Sequence, residues 1–209
     1  MILFKATDNS DEKISNVTLF IDSKSPKIIS KEPKSKAIVN GSSFSVKYEE
    51  DNLKSITLYY SNKSITRTDC ESGKNKICMF NIPASELENY DGEYIDYKFE
   101  LNDVINTESS KNTKVKIDIT PPSIDITSPV DSETYNYKTK VPIILSVSED
   151  SLVQYYDNSE FKPSWKTICS KCHKYSSTKT FTRGSHDISI RAIDSAGNSQ
   201  TEEISFEVV

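Results

Sequence analysis

The chain has 209 residues and a net charge of −5, from 31 acidic and 26 basic residues interspersed along its length. With no basic stripe to neutralise phosphates, nucleic acid is excluded as a partner, and no run approaches the roughly 18 apolar residues of a membrane span. Only 35% of residues are hydrophobic, with 11 Tyr, 8 Phe and 1 Trp. That is too thin for one thick α/β core, while β-branched and aromatic residues abound, so the chain reads as all-β.

Residues 1–24 come first. Ile2-Leu3-Phe4-Lys5-Ala6-Thr7-Asp8 alternates up to an Asp and is followed by a polar turn and a second alternating stretch over 17–22, with Val17, Leu19 and Ile21 on one side. This pattern predicts a β-hairpin. A lone hairpin is marginal in water, so it is expected to be the tail of an upstream domain or to self-associate by adding strands to an open edge. Residues 1–5 lack the apolar length of a signal peptide, so the chain is expected to be a piece of a longer product.

The same hairpin recurs twice, at Tyr97 to Asp103 with 113–118, and at Ile188 to Asp194 with 203–208. The closing Asp residues, Asp8, Asp103 and Asp194, fall at intervals of 95 and 91 residues. A period of roughly 90–100 residues matches one immunoglobulin-type sandwich per repeat. Ser25-Pro26 and Thr120-Pro121-Pro122 read as linkers, because proline denies ladder hydrogen bonds. Between them the predicted strands are 27–30, 43–50 and 56–60, with one helical turn over 83–90. After Pro122 they are 123–127, 141–149 and 152–156. The expected organisation is therefore a truncated hairpin at 1–24, then sandwiches at 25–120 and 121–209, an all-β tandem of immunoglobulin-like or fibronectin III-like domains.

The run Gly184-Ser185-His186-Asp187-Ile188-Ser189-Ile190-Arg191-Ala192-Ile193-Asp194-Ser195-Ala196-Gly197-Asn198 resembles the closing hairpin of prokaryotic immunoglobulin-like repeat domains of bacterial and archaeal cell-surface proteins. The middle repeat departs from it, with Asp103-Val104-Ile105-Asn106 in place of an Ala-Gly-Asn turn. The resemblance implies a non-enzymatic spacer or adhesin, extracellular or on the cell surface. Neighbouring modules and a surface protein or glycan would be its partners.

Four cysteines stand as Cys70 with Cys78 and Cys169 with Cys172. One local disulfide per module is the simplest reading, and it implies an oxidising compartment. A four-thiolate zinc site would need loops of successive modules to converge. Cys169-Ser170-Lys171-Cys172-His173 also matches the attachment sequence of c-type haem, so a haem-bearing electron-transfer module using Cys169, Cys172 and His173 is the alternative, with His186 or Met79 as a second axial ligand.

Catalysis has no visible machinery: the only histidines are His173 and His186, and with 5 Gly a phosphate-cradling loop has little to build on. His186 reads as structural. Turn acids Asp8, Asp11, Asp131 and Asp194, with Asn198, could offer oxygens to calcium, although Asp and Asn also make turns unaided. No other cofactor is expected. Sequons at Asn16, Asn40 and Asn62 are no more than chance supplies. Trp165 is expected to pack inward, near the local disulfide. Otherwise it joins Tyr155, Tyr156 and Phe161 as a contact patch at the loop-rich end of the second module, where a ligand surface is to be sought.

Overall fold

A computed structural model of the chain describes residues 2–7, 12–17 and 24–209. The first hairpin pairs β1 (Ile2–Thr7) with β2 (Glu12–Val17), Ile2 opposite Val17. The second strand thus begins at Glu12, earlier than the expected 17–22. Residues 8–11 and 18–23 lie outside the described residues.

Nine strands, the short β4 (Ile38–Val39) among them, follow before residue 118. They are β3 (Lys27–Glu32), β4, β5 (Ser43–Glu50), β6 (Ser55–Tyr60), β7 (Lys63–Arg67), β8 (Gly73–Asn81), β9 (Tyr94–Asn102), β10 (Thr107–Ser109) and β11 (Thr113–Ile117). One helical turn, α1 (Ala84–Leu87), continues into a 3₁₀ turn at Glu88–Tyr90. The strands form a sheet ordered β3-β5-β8 and a second ordered β4-β11-β9-β6-β7, with β10 alongside β9. Then come β12 (Ile124–Ser128), β13 (Thr134–Tyr135), β14 (Val141–Asp157), β15 (Lys166–Lys179), β16 (Gly184–Ile193) and β17 (Ser199–Val208), ordered β12-β14-β16-β17-β13 with β15 paired to β14.

By spatial proximity the chain divides into two compact units. One holds Met1–Glu32, Phe44–Phe80 and Asp96–Thr113, and the other Pro33–Ser43, Asn81–Ile95 and Lys114–Val209. In the first unit, period-two alternation buries Phe44, Val46 and Tyr48 from β5, Ile56, Leu58 and Tyr60 from β6, and Tyr97, Phe99 and Leu101 from β9. The rings interlock, with Phe44 edge-on to Tyr97 at 4.9 Å and Phe80 tilted on Phe99 at 5.4 Å. Such pairs add roughly 0.5–1.5 kcal/mol each beyond their buried area.

In the second unit, Val141, Ile143, Leu145 and Val147 pack with Ile188, Ile190, Ala192, Ile204, Phe206 and Val208. β14 is one strand of 17 residues where 141–149 and 152–156 were expected as two. Its first half pairs with β12, Ile124 opposite Val147, and its second half with β16, Leu152 opposite Ile193. The polar run Glu149-Asp150-Ser151 is the place where the strand changes neighbours. There the pairing with β15 also slips, between Ser146 and Ser151.

Candidate functional site

The structure joins Cys70 to Cys78 and Cys169 to Cys172, which leaves no free thiol. Cys78 is buried on β8. Cys169 and Cys172 lie within β15 instead of a loop, where Lys171 takes a positive φ of 55° to let the short ring close on a strand. The haem reading does not fit these residues. Both sulfurs are committed to each other, His173 Nε2 faces Asp150 Oδ1 at 3.1 Å, and both ring nitrogens of His186 are engaged.

His186 sits on β16, fully buried, where it stacks on Phe206 across the β16–β17 pair and lies edge-on to Phe181. Its Nε2 faces the Thr182 carbonyl at 2.9 Å, which only accepts, so Nε2 carries the proton. Its Nδ1 faces Ser159 Oγ at 2.7 Å and Asp157 Oδ2 at 3.3 Å. Asp157 ends β14, and its Oδ1 accepts from the Ser159 backbone at 3.0 Å and the Ser159 hydroxyl at 2.6 Å. The three residue types are those of a hydrolase triad, but the order is wrong. A relay needs nucleophile and carboxylate on opposite nitrogens of the imidazole, and here both share one. The network instead anchors the loop that leaves β14.

Around this anchor, the carboxylate of Glu160 is hydrogen-bonded by Lys166, which holds it below the usual carboxylate range, and lies 3.5 Å from Lys179 Nζ. Lys179 also donates to the Tyr155 hydroxyl. Phe161, in the same loop, is 96% exposed.

The four aromatic residues expected to share a patch separate. Tyr155 is buried in the core; Phe161 stands alone on the loop. Trp165, expected to pack inward, is 36% exposed, with Tyr156 at 5.4 Å and the Arg191 guanidinium 4.1 Å over its ring. Arg191 Nη2 is fixed by Gln154 Oε1 at 2.7 Å. The indole's partners are polar-tipped residues on the outer face of β14 and β16.

Of the turn acids, Asp8 and Asp11 lie outside the described residues. Asp131 Oδ1 accepts from the Ser205 backbone at 3.0 Å and serves its turn. Asp194 accepts from the backbones of Ala196, Gly197 and Asn198 at 2.7–2.9 Å, and from the Asn198 side chain at 2.8 Å. Asp194 also stands with Asp118 and Glu149, their carboxylate oxygens within 4.8 Å of one another. These are the described residues able to hold a divalent cation, supplying three of the roughly six to eight oxygens that calcium takes. Burial, then the charge of Asp194, raises the Asp118 carboxyl; burial, then Asp118 and Asp194, raises Glu149. Asp118 and Glu149 carry no local motif, and the sequence pattern singles out neither.

The fold defines the class: an immunoglobulin-like, fibronectin III-like β-sandwich protein. Among solved structures the chain is similar to the fibronectin(III)-like modules of Clostridium thermocellum CbhA, with 13% identity, a TM-score of 0.51, and coverage of 88% of this chain and 93% of that one. It also aligns with titin domains Z1Z2 solved in complex with telethonin, at 14% identity, covering 90% of this chain and 98% of that one, with a TM-score of 0.35. The first likeness shows the fold alone, and the second adds nothing to it. No family model matches the chain, and no curated protein matches it.

Proposed function

We propose that the chain is a non-enzymatic stretch of tandem immunoglobulin-like modules, 25–120 and 121–209, that works outside the cell as stalk and adhesive. The observation that carries the reading is the pairing of all four cysteines within the chain. Local disulfides persist in oxidising compartments and are rare where thiols are kept reduced. The resemblance of Gly184 to Asn198 to prokaryotic surface repeats supports a bacterial or archaeal surface protein. The exposed Phe161 and the Trp165–Arg191 stack support recognition at the loop end of the second module. Neighbouring modules are its structural partners.

The test is location in the native host. Protease applied to intact cells should cleave the protein from their surface, and cysteine alkylation before lysis should find no free thiol. Protection from protease, together with four alkylated cysteines, would place the chain inside the cell and end the reading.

A further inference from the structure

A cleft of about 260 Å³ opens where β14 hands over to its loop, floored by Asp157 and His186 and rimmed by Glu160, Phe161, Lys179 and Thr182. We propose that this cleft binds a single ring of a neutral sugar, the terminal residue of a glycan. The proposal rests on the adhesive reading in one respect, that the chain meets glycans outside the cell.

Four observations point to that chemistry. The volume lies below the roughly 300–1,000 Å³ of pockets for drug-sized ligands, which suits one small ring. The rim brings both signs of charge together, because Glu160 lies against Lys166 and Lys179. An anion entering it meets the Glu160 carboxylate; a cation meets the Lys179 ammonium. Sugar hydroxyls each donate and accept, so they satisfy a carboxylate acceptor and an ammonium donor side by side. The exposed ring of Phe161 offers the apolar platform for the C–H face of a pyranose.

The floor is also pre-organised. Asp157 and His186 are fixed by Ser159, by the Thr182 carbonyl and by the rings of Phe181 and Phe206, so binding freezes few groups beyond the Phe161 loop.

Saturation-transfer NMR on the full chain tests it, with glucose, galactose, mannose and N-acetylglucosamine as probes, and sialic acid and glucosamine as charged controls. At least one neutral sugar should bind with a Kd of about 1 mM, as fits so small a ligand. Phe161→Ala and Glu160→Gln should each weaken it about tenfold, one aromatic or charge-assisted contact's worth, with circular dichroism and unfolding midpoint unchanged. No transfer to any neutral sugar at concentrations on the order of 50 mM would overturn the proposal, given the expected affinity. So would binding of only the charged sugars, or binding that neither variant changes. The measurement uses purified protein, so its failure is distinct from a failure to find the chain on the cell surface.

Discussion

The Asn198 side-chain amide ties its own turn to a distant segment: it donates to Asp194 Oδ2 at 2.8 Å and to the Asp118 carbonyl at 2.8 Å. Asn106 repeats the arrangement 92 positions earlier, donating to Asp103 Oδ2 at 3.1 Å and the Lys24 carbonyl at 3.3 Å. Asp103-Val104-Ile105-Asn106 therefore does the work of the Asp-Ser-Ala-Gly-Asn turn. In both turns an Asp accepts from the turn's backbone and an Asn reaches an earlier segment of the chain.

Removing this clasp has a graded cost. Asn198→Ala should lose about 1 kcal/mol, the net worth of a typical hydrogen bond, whereas Asp194→Ala strands several backbone donors and should lose about 2–3 kcal/mol. Urea unfolding at constant slope measures both. Equal losses would mean that the Asp is only a turn former.

Asp118 and Glu149 predict a pH dependence. Both carboxyls are raised when folded, by burial first and by neighbouring acids second, so their ionised forms weigh against the fold. The penalty is complete above the folded pKa and vanishes below the unfolded values of roughly 4. Asp118→Asn should therefore raise the thermal midpoint at pH 7, and the gain over wild type should disappear by about pH 3, below that unfolded value. A variant less stable than wild type at pH 7 would contradict this sign.

The two disulfides differ in ring size. Closing Cys70 to Cys78, eight residues apart, is worth about 2.5 kcal/mol by loop entropy, and Cys169 to Cys172, three apart, about 2 kcal/mol. Since Cys78 is also buried, the Cys70→Ser/Cys78→Ser double variant should lose more stability than Cys169→Ser/Cys172→Ser. Chemical unfolding of the two double variants checks the order.

Trp165, the only tryptophan, reports on its own placement. Stacked under Arg191 and partly exposed, its replacement by Ala should cost at most about 1 kcal/mol, the range of a cation–π contact at an accessible site. Phe206→Ala, in the core beside His186, should cost about 3–5 kcal/mol. Acrylamide should quench the native fluorescence. Emission shielded until unfolding would put the indole in the core.

The fold was largely legible because period-two alternation is written plainly in β5, β9 and β16, and because the Asp-ended hairpins recur at domain spacing. β15 was hidden. Its run from Thr167 to Thr178 shows no clear alternation, since only Ile168, Cys169, Cys172 and Tyr175 lean on the core, and its cysteines looked like loop markers. The unbroken length of β14 was hidden by Glu149-Asp150-Ser151. Polar residues there read as a turn, yet Ser151 is buried and its hydroxyl donates to the Glu149 carbonyl at 3.1 Å. The disulfide partners followed from proximity in sequence. The Asp157–Ser159–His186 anchor and the Asp118–Glu149–Asp194 cluster did not, since each gathers residues from segments that only the folded sheets bring together.

The short strands β4 and β13 lie parallel to β11 and β17, Lys116 opposite Ile38 and Glu207 opposite Thr134. A pull on the two ends of a repeat drives parallel neighbours in opposite directions, so the hydrogen bonds between them are loaded together in shear. They cannot be peeled apart one by one. Two residues per strand are a small patch, and forced unfolding is governed by the barrier to breaking such a patch rather than by the equilibrium stability beneath it.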